Sequence, residues 1–562
     1  MYVSGQLAAV NVEFHLADPY MASRHQTLFF QKISELELLD SPFLLSLLSL
    51  FLFEFAMDAF IKSQGGTVAV KDERLVAKQH IATGTILMKQ TPLASVPQPT
   101  IRGERCNYCL RKTALQCCSR CHSAYFCSTE CFRNAWVQFH RVLCEPQDSD
   151  VYVDVDADRW LLERTALTLH SHNRLSKHHS HTPPALPAAM DALERLSPAP
   201  LHGDTNPDMA AVATALEPFG CQYSKDQLVD LWHRIKVAAF NICDHDQHMD
   251  PVALGVYPIT PLVIAHSCRP NAGIVYKRGA QHIVALQDIP SNEPITISYV
   301  DLVANKQERQ TALKSRFGES FQCKCVRCEG DMRAIDQLLD MHQPETEKTV
   351  EEHCKAWNVL TMTKKYTRGG SPSSQYSSGM ATPRTLDIPN FTHYTSRILA
   401  PEIYQHHHHG RYTRSYEADS RRVLHALVSL LQIPSVPAFT LSSIREARRL
   451  LRVLMAQDRW VEASRVSLYL YVVYSLLYPP LHPILAYHTV ILARSSWNSL
   501  VQLELAGIGR KLERIYQNGV RTWIDDGRHV VQVVFGQDCS LWREIIELQW
   551  IFERDQKLRL KE

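Results

Sequence analysis

The chain has 562 residues, 45% of them hydrophobic, and a net charge of +2 with no basic or acidic block. That length supports about three or four domain-sized units with real cores, and the near-neutral balance argues against direct, tight binding to nucleic acid. Sixteen cysteines, most of them in short ligand-like spacings, point to a reducing compartment and to metal in preference to disulfides.

In chain order, the N-terminus has no charged start and no small-residue cleavage site, so no signal peptide is expected. The apolar run Phe43 to Phe53 is eleven residues long before Glu54 interrupts it. A membrane span needs about 20, so the run reads as a buried or amphipathic helix inside an N-terminal extension over 1–65. Thr67 to Val70 and Leu75 to Ala77 are β-type runs, and Ala82-Thr83-Gly84-Thr85 turns into a third, Ile86 to Met88.

The next stretch reads Cys106-x2-Cys109, Cys118-x2-Cys121, Cys127-x3-Cys131, His140-x3-Cys144. Zinc takes four soft ligands in a tetrahedron, and a C-x2-C turn supplies two with the correct bite, so this array implies two closed, structural sites. Cys117 competes with Cys118, but Cys118 gives the x2 spacing. Phe132 to Phe139 is expected to be a short helix carrying His140. Arg111, Lys112, Arg120, Arg133 and Arg141 face only Glu130, a basic surface that either docks an acidic or proline-rich partner or is simply solvated.

Asp158 to Leu169 is helical by pattern. The polar, proline-rich insert that follows carries His170, His172, His178, His179 and His181 without partner cysteines, and reads as a loop. A helix resumes from Ser224 to Ile242, with Leu228, Leu231, Ile235 and Ala238 at helical spacing.

Residues 255–328 hold the chemistry-bearing motifs. Gly255-Val256-Tyr257-Pro258 precedes Ala265-His266-Ser267-Cys268-Arg269-Pro270-Asn271; an alternating run, Ile295 to Tyr299, follows, and then Cys323-x-Cys325-x2-Cys328. Three thiolates leave a structural zinc one ligand short. Beyond a helical linker over 331–363, residues 364–415 are a Gly/Ser/Pro/Tyr-rich loop ending in His406 to His409. Ser443-Ile444-Arg445-Glu446 reads as a capping box. It opens helices with apolar faces Ile444/Ala447/Leu451/Leu454, Ala463/Val466/Leu470/Val473/Leu477 and Ile484/Tyr487/Ile491/Ser495. These stripes are core first; a peptide groove is the alternative reading.

Together these motifs resemble the SMYD family, in which a SET domain is interrupted by a MYND zinc finger. The implied fold is α+β: a SET-domain β-fold with an inserted finger, a post-SET zinc site and a C-terminal α-helical TPR-like domain. The implied division is 66–105 (SET, N-terminal half), 106–144 (MYND finger), 145–230 (helical insert), 231–302 (SET, C-terminal half), 303–330 (post-SET) and 416–562 (TPR-like helices). In the MYND pattern the sites interleave, giving Cys106, Cys109, Cys127 and Cys131 to one zinc and Cys118, Cys121, His140 and Cys144 to the other. Cys268 then completes the site of Cys323, Cys325 and Cys328, making three structural zincs.

The resemblance further implies a protein lysine N-methyltransferase that uses S-adenosylmethionine on a protein or peptide substrate. Tyr299 corresponds to the catalytic tyrosine, and His266, Ala265, Asn271, Tyr257, Phe321 and Phe317 to the donor pocket and channel wall. Four positions depart from the family pattern. Asp72-Glu73-Arg74 stands for a G-x-G, Ala238 and Ala265 stand for asparagines, and Phe317 stands for a second tyrosine. They carry the competing reading, a catalytically degenerate adaptor. A monomer in the nucleus or cytoplasm, without membrane attachment, is expected.

Overall fold

The computed structural model describes residues 57, 59–144, 156–175, 185–197, 207–330, 336, 339–340, 350–351, 440–507 and 513–559. The run at 43–53, the histidines at 178, 179 and 181, most of the 331–363 linker and the loop over 364–415 lie outside them. His170 and His172, expected in a loop, lie in a helix, Ala157–Leu175, and a second helix, Ala185–Arg195, occupies the proline-rich stretch. No helix among the described residues is long and apolar enough to cross a membrane.

The first strands are β1 (Val68–Lys71) and β2 (Arg74–Ala77), an antiparallel hairpin in which Lys71 faces Arg74. The two residues between them, Asp72 and Glu73, have φ of 50° and 60°, the left-handed pair a type I′ turn requires. Asp tolerates this region by bonding locally, while Glu is strained in it. The turn thus takes, with side chains, a shape that glycine adopts freely. Strand β3 (Ile86–Gln90) pairs with β11 (Ala280–Ala285), which pairs with β10 (Ala272–Lys277). The turn before β3 needs Gly84 twice over: its φ is +82°, and a Cβ there would lie 2.7 Å from the Val533 side chain of a C-terminal helix.

A second sheet is ordered β4 (Ser95–Pro97), β8 (Pro251–Val256), β7 (Ala239–Cys243). The helix expected from Ser224 to Ile242 stops earlier. Ser224 caps it in a reciprocal box with Gln227, it runs Lys225–Ala238, and residues 239–243 cross into β7. Phe240 and Ile242 bury on one face while Asn241 is exposed, so an alternating period displaces the helical one at this junction.

Two strands 31 positions apart then lie side by side. β9 (Ala265–His266) and β12 (Thr296–Ile297) are parallel, with Ala265 facing Thr296 and His266 facing Ile297. The Asn271 side chain clasps the crossing: Oδ1 accepts from the Thr296 N–H at 2.8 Å, and Nδ2 donates to Pro294 O at 2.9 Å and Glu293 Oε1 at 3.1 Å. Asn271 is buried, so this is a satisfied polar clasp threading one segment past the other.

The C-terminal helices are Leu441–Ala456, Trp460–Leu477, Pro483–Leu505, Glu513–Val534 and Ser540–Arg559. The first is capped by Thr440, whose side chain accepts from the Ser443 N–H, three residues before the expected capping box. Every residue of the three expected apolar faces is buried or half-buried. Tyr478 ends the second helix ahead of Pro479-Pro480, and its hydroxyl donates to Asp301 at 3.0 Å while its carbonyl accepts from Arg269 at 2.9 Å. The helical array is thereby tied to the residues flanking both Cys268 and Tyr299. One apolar core joins these helices to Cys268, Leu302 and Leu313, and a second joins the finger to the helices between residues 157 and 238.

Candidate functional site

In the finger, the sulfurs of Cys106, Cys109, Cys127 and Cys131 converge, as do the ligand atoms of Cys118, Cys121, His140 and Cys144, each set lying within 4.8 Å. Neighbouring separations are 3.5 Å for Cys109 to Cys127, 3.6 Å for Cys127 to Cys131 and 3.8 Å for Cys118 to Cys144. A tetrahedron with zinc–sulfur bonds of ~2.3 Å has edges of about 3.8 Å, so the donors fit zinc. Cys117 is exposed and outside both sets. His140 reaches Cys121 through an unusual route. The expected helix at 132–139 is instead Thr129–Ala135, followed by a π-helical turn, Trp136–His140. A π turn absorbs one extra residue, and so places the imidazole inward despite the long Cys131-to-His140 spacing. The five cationic side chains of the finger, Arg111, Lys112, Arg120, Arg133 and Arg141, are all exposed.

The third cluster brings Cys268 to Cys323, Cys325 and Cys328, again within 4.8 Å, with Cys268 and Cys328 sulfurs 3.7 Å apart. A buried guanidinium backs it: Arg309 Nε donates to Cys268 Sγ at 3.2 Å, and Arg309 Nη2 to Cys328 Sγ at 3.7 Å. Four thiolates around a divalent ion carry a net charge of −2, which such a cation offsets. Arg309 is in turn gripped by both oxygens of Asp336 at 2.7 and 2.8 Å, and Arg327 shares Asp336 at 3.1 Å. Arg309 and Arg327 are fully buried and Asp336 is nearly so. Removing the shared anion strands two cations in the interior, so Asp336→Ala is expected to cost about 3–5 kcal/mol. Urea unfolding of the zinc-loaded chain checks this, and a midpoint within error of the parent would contradict the triad's role.

Beside this cluster lies an aromatic cage. Tyr299, just past β12, has its ring centroid 5.5 Å from Phe240, 5.1 Å from Phe317 and 6.1 Å from His266; Phe321 lies 5.1 Å from Phe317 and 6.3 Å from His266. The Tyr299 hydroxyl donates toward the carbonyls of Ile264 at 2.8 Å and Thr260 at 3.1 Å. Burial pushes its pKa up, against the opposing effect of Arg316, so it is a neutral phenol at pH 7. His266 Nδ1 accepts the Tyr299 N–H at 3.3 Å, leaving Nε2–H to face Cys268 Sγ at 3.2 Å. Burial pushes the His266 pKa down to about 4. Both of its nitrogens are engaged inside the protein, and its ring serves as cage wall.

The remaining expected site residues are distributed unevenly. Ala265 precedes His266 on β9, half-buried. Tyr257 is fully buried behind the cage, its ring 5.9 Å from Phe240 and its hydroxyl donating to Gly279 O. Asn271 is the clasp described above. Two cage residues lie outside the expected site residues. Phe240 sits in β7, where the helical pattern is expected to run through residue 242. Arg316 lies in the last turn of the helix Lys306–Phe317, and its Cζ lies 4.4 Å from the Phe240 ring centroid, 5.0 Å from Tyr299 and 5.9 Å from Phe317. Arg316 Nε donates to Val237 O at 3.0 Å and Nη2 to Ala239 O at 2.6 Å. Burial lowers its pKa to about 10, which leaves it charged at neutral pH.

A SET domain profile matches residues 74–300. The histone-lysine N-methyltransferase SMYD3 of Mus musculus is 26% identical over 319 residues, covering 54% of this chain and 71% of that protein. The N-lysine methyltransferase SMYD2 of Homo sapiens is 26% identical over 315 residues, covering 54% and 69%. The histone-lysine N-methyltransferase ASHR1 of Arabidopsis thaliana is 21% identical over 435 residues, covering 76% and 85%. With cysteine clusters of zinc type inside and after the SET segment, and a helical array C-terminal to it, the chain carries a SET domain and is similar in sequence and arrangement to the SMYD proteins.

Proposed function

We propose that the chain is an S-adenosylmethionine-dependent protein lysine N-methyltransferase whose three cysteine-rich sites hold zinc as scaffold. The observation that carries this reading is Tyr299. Its hydroxyl proton is directed at the Ile264 and Thr260 carbonyls, so the oxygen presents lone pairs to the cage interior, beside the faces of Phe240 and Phe317. When bound, the sulfonium donor supplies an electrophilic methyl group. The chain's part is to hold a neutral lysine amine in line with it at near-attack distance. It must also stabilise the positive charge that grows on that nitrogen, which an oxygen lone pair and aromatic faces do. Phe317, in place of a tyrosine, keeps the wall and loses a hydroxyl, so methylation number or rate differs from that of relatives with two tyrosines.

The donor side fits, with fewer polar contacts. The β1–β2 turn has glycine-like φ at Asp72 and Glu73, and the side chains of Asp72, Glu73 and Arg74 are all exposed, so none of them is buried in the fold. Ala265 offers no amide, which costs about 1–3 kcal/mol of binding where a buried polar group goes unpaired. Partner docking by the finger falls to its exposed cations, which suit an acidic segment. The test is titration of the zinc-loaded chain with the donor, by calorimetry and thermal shift, followed by transfer of labelled methyl to histones and other lysine-bearing proteins. Heat and transfer are expected, while silence in both at millimolar donor would overturn the proposal.

A further inference from the structure

The acceptor cage already contains a cation. Three aromatic faces, those of Phe240, Tyr299 and Phe317, surround the Arg316 guanidinium at centroid distances of 4.4, 5.0 and 5.9 Å. That arrangement is how proteins hold alkylammonium groups. Two backbone carbonyls, at Val237 and Ala239, satisfy the N–H groups pointing outward from the rings. An acceptor lysine must bring its nitrogen to the Tyr299 oxygen through the same ring faces. It would do so as a cation meeting a fixed like charge, in a place shielded from water where charges are weakly screened.

We propose that Arg316 is the resident occupant of the lysine site, holding it closed until the guanidinium is displaced. Its attachments are suited to release. Arg316 occupies the last turn of its helix, two residues before Gly318 at φ +101°, and its guanidinium donates to the main-chain carbonyls of Val237 and Ala239, with no carboxylate within ion-pair reach among the described residues. The carbonyls it bonds stand at the join between the helix Lys225–Ala238 and β7, the same join that presents Phe240. Displacement of Arg316 therefore empties the cage and frees the wall that carries Phe240, and acceptors that dock strongly elsewhere on the chain are favoured over free lysine.

This inference rests on the cage being the acceptor site, and its test is kept apart from methyl transfer. The probe is n-butylammonium, titrated without donor into the full zinc-loaded chain and followed by saturation-transfer NMR. Arg316→Gln, which keeps an amide donor for the Ala239 carbonyl but no charge, is expected to bind the probe at least tenfold more tightly than the parent. The gain should disappear when Phe240→Ala is added. Arg316→Lys, which keeps the charge, should behave like the parent. Arg316→Met fills the space of the stem and serves in place of the glutamine variant if that variant fails to keep its zinc or its melting temperature. Tight probe binding by the unaltered chain, or equal affinity in the parent and both neutral variants, overturns the proposal. Gain of the probe with no methyl transfer by any variant would leave the occupied cage standing and remove the transferase reading. Turnover by the parent that Arg316→Gln leaves unchanged would do the reverse.

Discussion

Cys268→Ala is expected to release one metal ion of three and to destabilise the post-SET segment by several kcal/mol, more than any other single cysteine outside the finger except its three cluster mates. The sulfur ties together segments that are distant along the chain. It faces Cys328 across 60 residues and receives hydrogen bonds from Arg309 and from His266. Without it, three thiolates remain around an open position, and a structural zinc with an open position loses the closed coordination that makes its binding contribute to folding. The buried Arg309 keeps Asp336 but faces a weakened anion, and the Nε2–H of His266 loses its acceptor. Unpaired buried donors cost about 1–3 kcal/mol each, and the metal's own contribution comes on top. Native mass spectrometry of the parent should count three zincs and that of the variant two. Cys117→Ser, which changes an exposed thiol outside every cluster, should leave the count at three. A parent count of two would remove the ligand role of Cys268.

Tyr299→Phe is expected to lower the methyl-transfer rate about 10²–10³-fold, the scale on which one preorganised polar group contributes to a transition state, while leaving donor affinity within a few-fold. The two effects separate because the ring remains against Phe240, Phe317 and His266 while only the oxygen is lost. The carbonyls of Ile264 and Thr260 each lose a donor, so a stability loss of about 1–2 kcal/mol accompanies the change, well short of unfolding. Single-turnover transfer with saturating donor reads the rate, and calorimetry reads the affinity. A phenylalanine variant as fast as its parent would place the polar contribution elsewhere in the cage. A variant that loses the donor and the rate together would make Tyr299 a packing residue.

These expectations draw on features that differ in how openly the sequence displays them. Metal ligation is local chemistry: C-x2-C turns and a histidine four residues before a cysteine state their purpose within a few positions. The long interval between Cys131 and His140 is equally visible, but the π turn that accommodates it depends on Trp136 and Phe139 finding places in the core beside Phe132 and Phe126. At the 238–240 junction a helical apolar stripe runs without interruption into an alternating one. Periodicity alone reads through it, and only pairing with β8 shows where the strand begins.

By itself, then, the sequence determined the zinc-type ligands of the finger, the thiol triplet after residue 322 and the apolar faces of the C-terminal helices, since each is written in side-chain type and short spacing. The interleaving of the finger sites, Cys268 as the fourth ligand, the fold class and the role of Tyr299 came from the resemblance to the SMYD pattern. Tertiary structure decided what no spacing encodes: that Asn271 is a clasp and Tyr257 a core residue, that Phe240 and Arg316 share a cage with Tyr299, and that Arg309, Arg327 and Asp336 back the post-SET cluster. The reason is distance along the chain. Residues 240, 299 and 316 meet only because two parallel strands come side by side and the segment carrying the Cys268/Cys323/Cys325/Cys328 cluster folds over them. Contacts made by such crossings depend on where whole elements come to rest, which single side chains and their near neighbours do not specify.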